Sequence, residues 1–301
     1  MKEASAYAPG HLTGFFQICD EPEDPLLKGS RGSGASITQG VHTSVKVSPA
    51  DQNRYDIFFN DEPTDGAFVS ENVLGKMLGT ADQPYEVEVR HVIEMPLGAG
   101  FGSSGGGAMS LALALNEALD LGLTYVGAAR VAHVAEIECK TGLGSVFAAT
   151  VGGFGALVKP GGPGIGESIK YPRSSELSVV YLHFGPMATR DALSDPDMRR
   201  RINEVGGRYV DRISEDLRPE LFMELSQKFT RYVDISTPRL KAMLARAWDQ
   251  KVPCTMAMFG EVAFSMVAKE EAEDVASFLR ETSPGHSVEV VGIDDRGARL
   301  T

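Results

Sequence analysis

A glycine-rich loop carries the residues with the clearest chemical purpose, which is to hold an anion. Three glycines stand at alternate positions, Gly98, Gly100 and Gly102, and two hydroxyl side chains follow directly, Ser103 and Ser104. Glycine allows a backbone to turn tightly and to approach a ligand without interference from a Cβ atom. Serine is a residue type that begins helices, and its hydroxyl can also reach a Mg²⁺ ion bound to phosphate. The loop is therefore a candidate phosphate site.

The segments on either side must position this loop, and they are predicted to be a strand and a helix. Apolar and charged residues alternate over 85–94, which predicts a strand. Good helix formers over 108–119 predict a helix. A strand, a glycine loop and a helix in this order direct free N–H groups and the positive end of the helix dipole at one place, which favours phosphate. A glycine-rich turn before an ordinary helix is the alternative.

Two widespread phosphate-binding motifs do not fit the loop. The Walker motif needs a lysine directly before its serine or threonine, and no lysine lies between Lys76 and Lys140. The dinucleotide motif fails because its third glycine falls at the wrong spacing. Residues 96–104 instead resemble the second motif of the GHMP kinases, Pro-x-Gly-x-Gly-Leu-Gly-Ser-Ser, with Phe101 in place of the leucine. This resemblance implies that ATP binds over the loop, with Pro96 among its residues.

A second glycine-rich segment, at 29–34, precedes a strand predicted over 35–47. On this flexible backbone the Arg31 guanidinium could bind a small carboxylate through two parallel hydrogen bonds. An exposed arginine in a turn is the alternative.

This segment and the N-terminus sharpen the resemblance. Residues 8–16 read Ala-Pro-Gly-His-Leu-Thr-Gly-Phe-Phe, and residues 40–45 read Gly-Val-His-Thr-Ser-Val. Together with Gly-Ser-Arg-Gly-Ser-Gly at 29–34 they resemble the archaeal pantoate kinases, a branch of the GHMP kinases that phosphorylates pantoate on the way to coenzyme A. The resemblance implies that Ser30 and Arg31 bind pantoate. The resemblance also implies that the Pro-Gly segment near the start of the chain lies close to the substrate. The residue pattern alone predicts a turn between short extended segments within 8–16.

A predicted helix over 124–144 carries an acidic residue among small apolar ones. Thr124 is suited to begin this helix. His133 and Glu136 lie three residues apart and share a face, whereas Glu138 points about 160° away from Glu136. Burying an unpaired carboxylate is expensive, so a carboxylate on such a helix is rarely without a role. A salt-bridged structural acid and a hydrogen-bonded core histidine are the alternatives for Glu136 and His133.

The family pattern Ala-x-x-x-Glu matches this helix at Glu136, and the resemblance implies that Glu136 and Ser104 bind Mg²⁺. The next run departs from the family: pantoate kinases usually read Thr-Gly-Leu-Gly-Asp-Val, and this chain reads Thr-Gly-Leu-Gly-Ser-Val at 141–146. The family aspartate resembles the catalytic base of other GHMP kinases, and Ser145 in its place has no useful basicity near pH 7. Phosphoryl transfer is mostly positioning and electrostatic stabilisation, so a kinase can survive this loss, with His133 or the phosphate taking the proton.

Length and composition argue against several other classes of protein. A chain of 301 residues with 43% hydrophobic content suggests one large domain or two fused domains. The net charge is −12, and no basic stripe suited to nucleic acid stands out. Three cysteines, far apart in the sequence, argue against a disulfide framework and fit a reducing cytoplasm. No apolar run approaches the roughly 20 residues that span a bilayer. The sequence leaves the oligomeric state open, with a homodimer as one option.

The C-terminal half is predicted to contain a helical region over 196–250 between two groups of strands. Pro219 and Pro238 divide this region into three helices. Thr189 resembles a family threonine at the substrate pocket, and a helix N-cap is an equally good interpretation. The third glycine motif of the GHMP kinases keeps only Gly260 here.

These patterns together predict an α+β fold. The resemblance implies an N-terminal ATP-binding domain over 1–165, similar to ribosomal protein S5 domain 2, and a ferredoxin-like C-terminal domain over 166–301. The reaction it implies is transfer of the γ-phosphoryl group of Mg·ATP to the 4-hydroxyl of pantoate. Phosphorylation of another small hydroxy acid or alcohol, such as homoserine or mevalonate, is an alternative within the family. A non-catalytic nucleotide-binding relative is the alternative from another class.

Overall fold

Two sheets, the first built around long N-terminal strands, organise the chain. A computed structural model describes residues 1–185 and 195–301. The first sheet contains β1 Lys2–Cys19, β2 Gly29–Pro49, β3 Arg54–Phe59, β4 Glu62–Pro63, β5 Tyr85–Ile93, β6 Phe154–Lys159, β7 Glu167–Lys170 and β12 Arg299–Leu300. The second sheet contains β8 Leu177–Gly185, β9 Thr255–Met256, β10 Glu261–Ala268 and β11 Val288–Gly292.

The described helices fall into two groups along the chain. The first group is α1 Phe68–Leu78, α2 Ser103–Leu119, α3 Tyr125–Cys139 and α4 Ser145–Val151. The second group is α5 Pro196–Glu215, α6 Pro219–Val233, α7 Pro238–Asp249 and α8 Ala272–Thr282. Pro219 and Pro238 stand in the first turns of α6 and α7, where the missing N–H of proline costs nothing. None of the helices within the described ranges is long and apolar enough to cross a membrane.

Strands β1 and β2 form one long antiparallel hairpin, and the turn predicted within 8–16 is wrong. Pairing runs the length of β1, with register shifts after Pro9 and after Thr13. Proline cannot donate to a sheet and glycine weakens a strand, so both commonly stand at bulges. The Pro-Gly pair therefore marks an irregularity in a continuous strand.

The order of strands places the hairpin in the middle of the first sheet. The order is β12-β1-β2-β5-β3-β4, and β6 pairs with both β2 and β7. The second sheet has the order β11-β8-β10-β9, with antiparallel neighbours. β7 lies beyond residue 165 and still belongs to the first sheet. The domain boundary between residues 165 and 166 stays a prediction.

Two predicted helix boundaries differ from the structure. Helix α2 begins at Ser103 rather than at residue 108, because Gly102 in the left-handed conformation starts it and the next glycines allow close packing, Gly105 on α4 and Gly106 on β2. Helix α3 ends at Cys139, since Lys140 adopts the left-handed conformation as its C-cap. Thr124 is its N-cap, as predicted, and its hydroxyl accepts a hydrogen bond from the Gly127 N–H.

Two hydrophobic cores stabilise these layers. One packs α1, α2 and α3 on the first sheet and includes Val45, Val89, Leu111 and Leu115. The other joins the hairpin to the second sheet and to α5, α6 and α7, and includes Phe15, Phe154, Phe222 and Phe264. Because the second core draws on both sheets, it fixes the glycine loop against the β9–β10 connection.

Candidate active site

A cavity of about 320 Å³ opens where the glycine loop, the β1–β2 hairpin and the start of α4 meet. Its volume is in the range of small-molecule sites. The predicted site residues that line it are Ser30, Gly98, Gly100, Gly102, Ser103, Ser104 and Ser145. The fold therefore brings together predicted residues from three separate segments of the chain.

The glycine loop has backbone angles that favour glycine. Gly98, Gly100 and Gly102 have φ values of 67°, 80° and 64°, in the region that other side chains disfavour. A Cβ atom on Gly100 would also lie 2.7 Å from the carbonyl oxygen of Met258. The alternation of glycines seen in the sequence is thus a requirement of this turn.

The start of α2 presents unpaired backbone donors to the cavity. Gly102 is the N-cap, and as a glycine it has no side chain with which to cap the helix. Ser103 and Ser104 accordingly lie inside the helix, and neither is its N-cap. The first N–H groups of a helix have no intrahelical partner, and the positive end of the dipole lies beside them. This end of α2 is built to accept an anion.

Beside these donors lies a buried carboxylate surrounded by hydroxyl groups. Glu136 is 1% exposed, and Ser104 Oγ donates to its Oε1 at 2.6 Å. Thr141 Oγ1 lies 3.3 Å from the same oxygen. Burial raises the pKa of Glu136, while the hydrogen bonds from Ser104, Ser145 and Thr141 lower it. A carboxylate and a hydroxyl oxygen in contact suit a hard divalent ion such as Mg²⁺.

The described residues contain no group of three or more His, Cys, Asp or Glu side chains that could hold a metal. A divalent ion at Ser104 and Glu136 would therefore complete its coordination with phosphate oxygens and water. Mg²⁺ is commonly bound in this way, through one or two carboxylates and the phosphates of a substrate.

Ser145 belongs to the same hydrogen-bonded set. Its hydroxyl bonds to Glu136, and a Cβ atom on Gly142 would lie 2.5 Å from both Glu136 Oε2 and Ser145 Oγ. Ser145 is the first residue of α4 and packs against α2, where a Cβ atom on Gly105 would lie 2.6 Å from its own Cβ. The serine at the position of the family aspartate is therefore in contact with the acidic residue of the site.

Ser30 and Arg31 occupy different environments. Ser30 lines the cavity, and a Cβ atom on Gly144 would lie 2.5 Å from its Oγ. The Arg31 guanidinium instead donates to the Val158 carbonyl at 2.8 Å and forms an ion pair with Asp211 of α5. Successive residues of a strand point to opposite sides, so Arg31 does not line the cavity.

Three further predicted residues stand outside the cavity wall or outside the described part of the chain. His133 is buried, with its Nε2 3.1 Å from the Lys28 carbonyl oxygen. Burial lowers the pKa of His133, which fits the interpretation of a hydrogen-bonded core histidine. Pro96 flanks the loop and does not line the cavity. Thr189 lies outside the described residues.

A second cavity, of about 230 Å³, lies on the other side of the α2 start. Its wall is mainly apolar, and large side chains stand at its mouth, with Phe68 58% and Leu97 47% exposed. Ser103, Ser104 and Thr141 line both cavities. The start of α2 therefore separates a polar cavity from an apolar one.

Sequence reasoning missed this second cavity and two residues of the first. The apolar wall comes from β3, α1 and β5, and no local pattern joins these elements. His11 and Lys140 line the larger cavity. His11 follows a Pro-Gly pair whose residue pattern predicted a turn, and the family resemblance placed that segment near the substrate without giving His11 a role. Lys140 follows a helix whose predicted end lies too far along the chain.

Residues 69–153 match the family described as GHMP kinases N terminal domain. That range contains the glycine loop, Glu136 and Ser145. The solved structure of a phosphotransferase related to the CoA biosynthesis pathway superposes with a TM-score of 0.87 at 30% identity, covering 99% of this chain and 98% of that one. A complex of MDDEF with MVAPP, AMPPCP and magnesium gives a TM-score of 0.80 at 16% identity, covering 100% and 99%. These likenesses confirm the predicted α+β fold, and its class is that of the GHMP kinases.

Curated relatives narrow the class further. The pantoate kinase of Thermococcus kodakarensis is 34% identical, with 91% of each chain covered. The pantoate kinase of Methanocaldococcus jannaschii is 32% identical, with 91% of this chain and 96% of the relative covered. The chain belongs to the pantoate kinase family of the GHMP kinases.

Proposed function

We propose that this chain phosphorylates the 4-hydroxyl of pantoate with ATP, which gives 4-phosphopantoate and ADP. The observation that carries the proposal is the 2.6 Å contact between Ser104 Oγ and Glu136 Oε1 at the start of α2. A buried carboxylate bonded to a hydroxyl, beside free helix N–H groups, suits a metal–polyphosphate complex. The relatives named pantoate kinase, at 34% and 32% identity, support the choice of acceptor.

The two cavities suggest where each substrate binds. The apolar cavity, with Phe68 and Leu97 at its mouth, suits the base of a nucleotide. Its polyphosphate would then pass over Ser103 and Ser104, where both cavities meet. The larger cavity, with Ser30 in its wall, is left for pantoate. The transferred phosphoryl group would lie at the start of α2.

The residues present fit a Mg²⁺ ion at this junction. Ser104 and Glu136 would hold it, and its charge would stabilise the phosphoryl group during transfer. The N–H groups at the start of α2 would bind phosphate oxygens, since they have no intrahelical partner. Thr141 and Ser145 orient the Glu136 carboxylate by hydrogen bonding.

A coupled assay of ADP release across acceptors tests the proposal. Pantoate, homoserine and mevalonate are each supplied with Mg·ATP, and phosphorus NMR identifies the product. We expect kcat/KM with pantoate to exceed that with the other acceptors by about 10² or more, since a site built for specific polar groups rejects analogues strongly. Preference for homoserine or mevalonate would reassign the substrate. ATP binding without turnover of any acceptor would indicate a non-catalytic relative.

A further inference from the structure

The larger cavity contains few groups that could take a proton. Among the described residues that line it, the titratable side chains are His11, Lys140 and Lys170. A lysine near neutral pH is protonated and can only donate. Lys170 also donates to the Asp295 carbonyl at 2.6 Å. With a serine at position 145, His11 is the described cavity residue able to act as a base.

The hydrogen bonds of His11 fix which of its nitrogens is free. Ser36 Oγ donates to the Ala148 carbonyl at 3.3 Å, and a carbonyl can only accept. The Ser36 hydroxyl has one proton, so both contacts form together only when it accepts from His11 Nδ1, which lies 3.3 Å away. A neutral imidazole carries one N–H. That proton is on Nδ1, so Nε2 has a free lone pair.

The free nitrogen has room beside it. A Cβ atom on Gly34 would lie 2.4 Å from His11 Nε2, so only glycine there leaves space for the ring. Nε2 makes no hydrogen bond within the described residues, and it is not among their buried polar atoms without a partner. The lone pair is accordingly reachable from the cavity.

His11 also lies near the position of the family aspartate. A Cβ atom on Gly102 would be 3.4 Å from the Ser145 Cβ and 3.8 Å from the His11 Cβ. The two side chains thus stand on either side of the glycine at which α2 begins. A hydroxyl held at the phosphate end of the cavity would be close to both.

We propose that His11 is a catalytic residue whose Nε2 accepts the proton of the pantoate hydroxyl, the task that the aspartate performs elsewhere in the family. The inference rests on the proposed function. As the hydroxyl oxygen bonds to the γ-phosphorus, the bond from that phosphorus to the bridging oxygen of ADP breaks. The hydroxyl proton passes to Nε2, and the imidazolium then releases it to water.

The basicity of His11 is adequate for this task. Burial lowers the pKa of His11 to about 4, close to the usual value of about 3.9 for an aspartate. A base of this strength matches the family carboxylate and stays unprotonated at neutral pH. It is neutral, so it does not repel the triphosphate as an added carboxylate would. The charged groups that share its cavity are Lys140 and Lys170, both cationic.

The test compares His11→Gln and His11→Asn with the whole wild-type chain. We expect kcat to fall by about 10² to 10⁴, the usual contribution of a general base, with ATP affinity by calorimetry changed less than about threefold. Ser36→Ala should lower kcat by a smaller factor, since it removes only the partner that fixes the tautomer. His286→Gln is the matched control, because His286 packs on Phe184 in the second sheet. A kcat within about threefold of wild type in both His11 variants would overturn the proposal.

A second measurement does not depend on the acceptor. Nitrogen-15 NMR of labelled histidines should show His11 with an unprotonated Nε2 and a pKa near 4. A proton on Nε2 at neutral pH would overturn the assignment even if the variants lose activity. The kinetic ratios are taken with whichever acceptor the wild type phosphorylates. Failure of pantoate as a substrate would therefore refute the proposed function and leave the test of His11 intact.

Discussion

At the scale of single residues, the site depends on one buried carboxylate. Glu136 has three hydroxyl partners in the structure, and no lysine or arginine is among them. A structural acid with this degree of burial normally has a cationic partner. The hydroxyl partners instead leave its charge free to bind a cation, which favours the metal-binding interpretation over the salt-bridged one.

We predict that Ser104→Ala and Glu136→Gln each lower kcat by about 10² or more, because each removes a ligand whose electrostatic effect grows in the transition state. The Mg²⁺ concentration needed for half-maximal rate should also rise. Glu138→Gln is the matched control, since Glu138 is exposed and pairs with Lys76 at 2.9 Å. Wild-type turnover and wild-type Mg²⁺ dependence in both site variants would remove the metal assignment.

Arg31 illustrates how the environment of one side chain decides between two interpretations. Its guanidinium has protein acceptors in Val158, Gln17 and Asp211, and Asp211 is 65% exposed. An ion pair with one exposed partner contributes little, about 0.2–1 kcal/mol. The hydrogen bond to the Val158 carbonyl adds about 1 kcal/mol.

We therefore expect Arg31→Lys to lower the free energy of unfolding by about 1 kcal/mol, because a single ammonium group cannot make the hydrogen bonds that the planar guanidinium makes to several acceptors at once. The KM for pantoate should change less than about threefold, in contrast to the sequence-based hypothesis of a carboxylate clamp. Urea denaturation and steady-state kinetics measure the two effects. Asp211→Asn, which breaks the ion pair from the other side, should show a smaller loss of stability. A large rise in the KM for pantoate without loss of stability would instead support the hypothesis that Arg31 binds the substrate carboxylate.

At the scale of elements, the glycine loop is held by backbone contact with the second sheet. A Cβ atom on Gly260 would lie 1.9 Å from the Ala99 carbonyl oxygen and 2.9 Å from the Gly100 N. Two segments far apart in sequence thus touch through their backbones. Gly260, the one glycine that remains of the third family motif, therefore has a structural role: it lets the second sheet approach the glycine loop.

Gly260→Ala should displace the glycine loop and weaken ATP binding by tenfold or more, because backbone cannot give way as a flexible side chain can. Calorimetric titration with ATP measures this effect. Gly75→Ala is the control, since nothing lies within 4 Å of a Cβ placed there in α1. It should leave ATP binding unchanged and raise stability by about 0.5–1 kcal/mol. Unchanged ATP affinity in the Gly260 variant would show that the contact does not shape the site.

The elements also show what a sequence pattern can predict. The strand, glycine loop and helix around Gly100 follow from local periodicity and glycine spacing, and the structure has them in that order. The sequence pattern places the start of α2 too late because the glycines at 105–107 are poor helix formers. In the fold, Gly105 packs closely on Ser145 and Gly106 on Val41, contacts that no local pattern predicts. The long hairpin was missed because pairing between distant residues overrides a local Pro-Gly signal.

At the scale of the whole molecule, the cavities arise from contacts that no local pattern encodes. The larger cavity takes residues from β1, β2, the glycine loop, α4 and the β9–β10 connection. Ser104 and Glu136 were singled out through family resemblance, and the structure places them in hydrogen-bonding contact. His11 could not be chosen in this way, because its surroundings come from Gly34, Ser36 and Ala148. Predicting it requires the register of the β1–β2 hairpin.

Two histidines with lowered pKa values make the stability of the whole fold depend on pH. Burial lowers the pKa values of His11 and His91 to about 4, from 6.5. His91 bonds through its two nitrogens to Thr43 and Ser70, between the first sheet and α1. Both histidines are neutral in the folded chain at neutral pH. Below pH 6.5 these two imidazoles bind protons in the unfolded chain but stay neutral in the folded chain. The neutral imidazoles therefore contribute their full stabilisation of the fold above pH 6.5, and this contribution is lost as the pH falls toward 4.

The free energy of unfolding should therefore fall between pH 7.5 and pH 5, by about 2 kcal/mol for each of the two histidines. Urea denaturation at the two pH values measures the difference. His91→Gln should remove about 2 kcal/mol of this pH dependence, since glutamine does not titrate, and His286→Gln is the control, because His286 packs on Phe184 in the second sheet, away from both imidazoles. An equal free energy of unfolding at both pH values in the wild type would mean that the two imidazoles are protonated in the folded chain. In that case His11 would be protonated at pH 5 and could not accept the proton of the substrate hydroxyl. The value of kcat/KM would then fall on acidification near pH 6.5 instead of near pH 4.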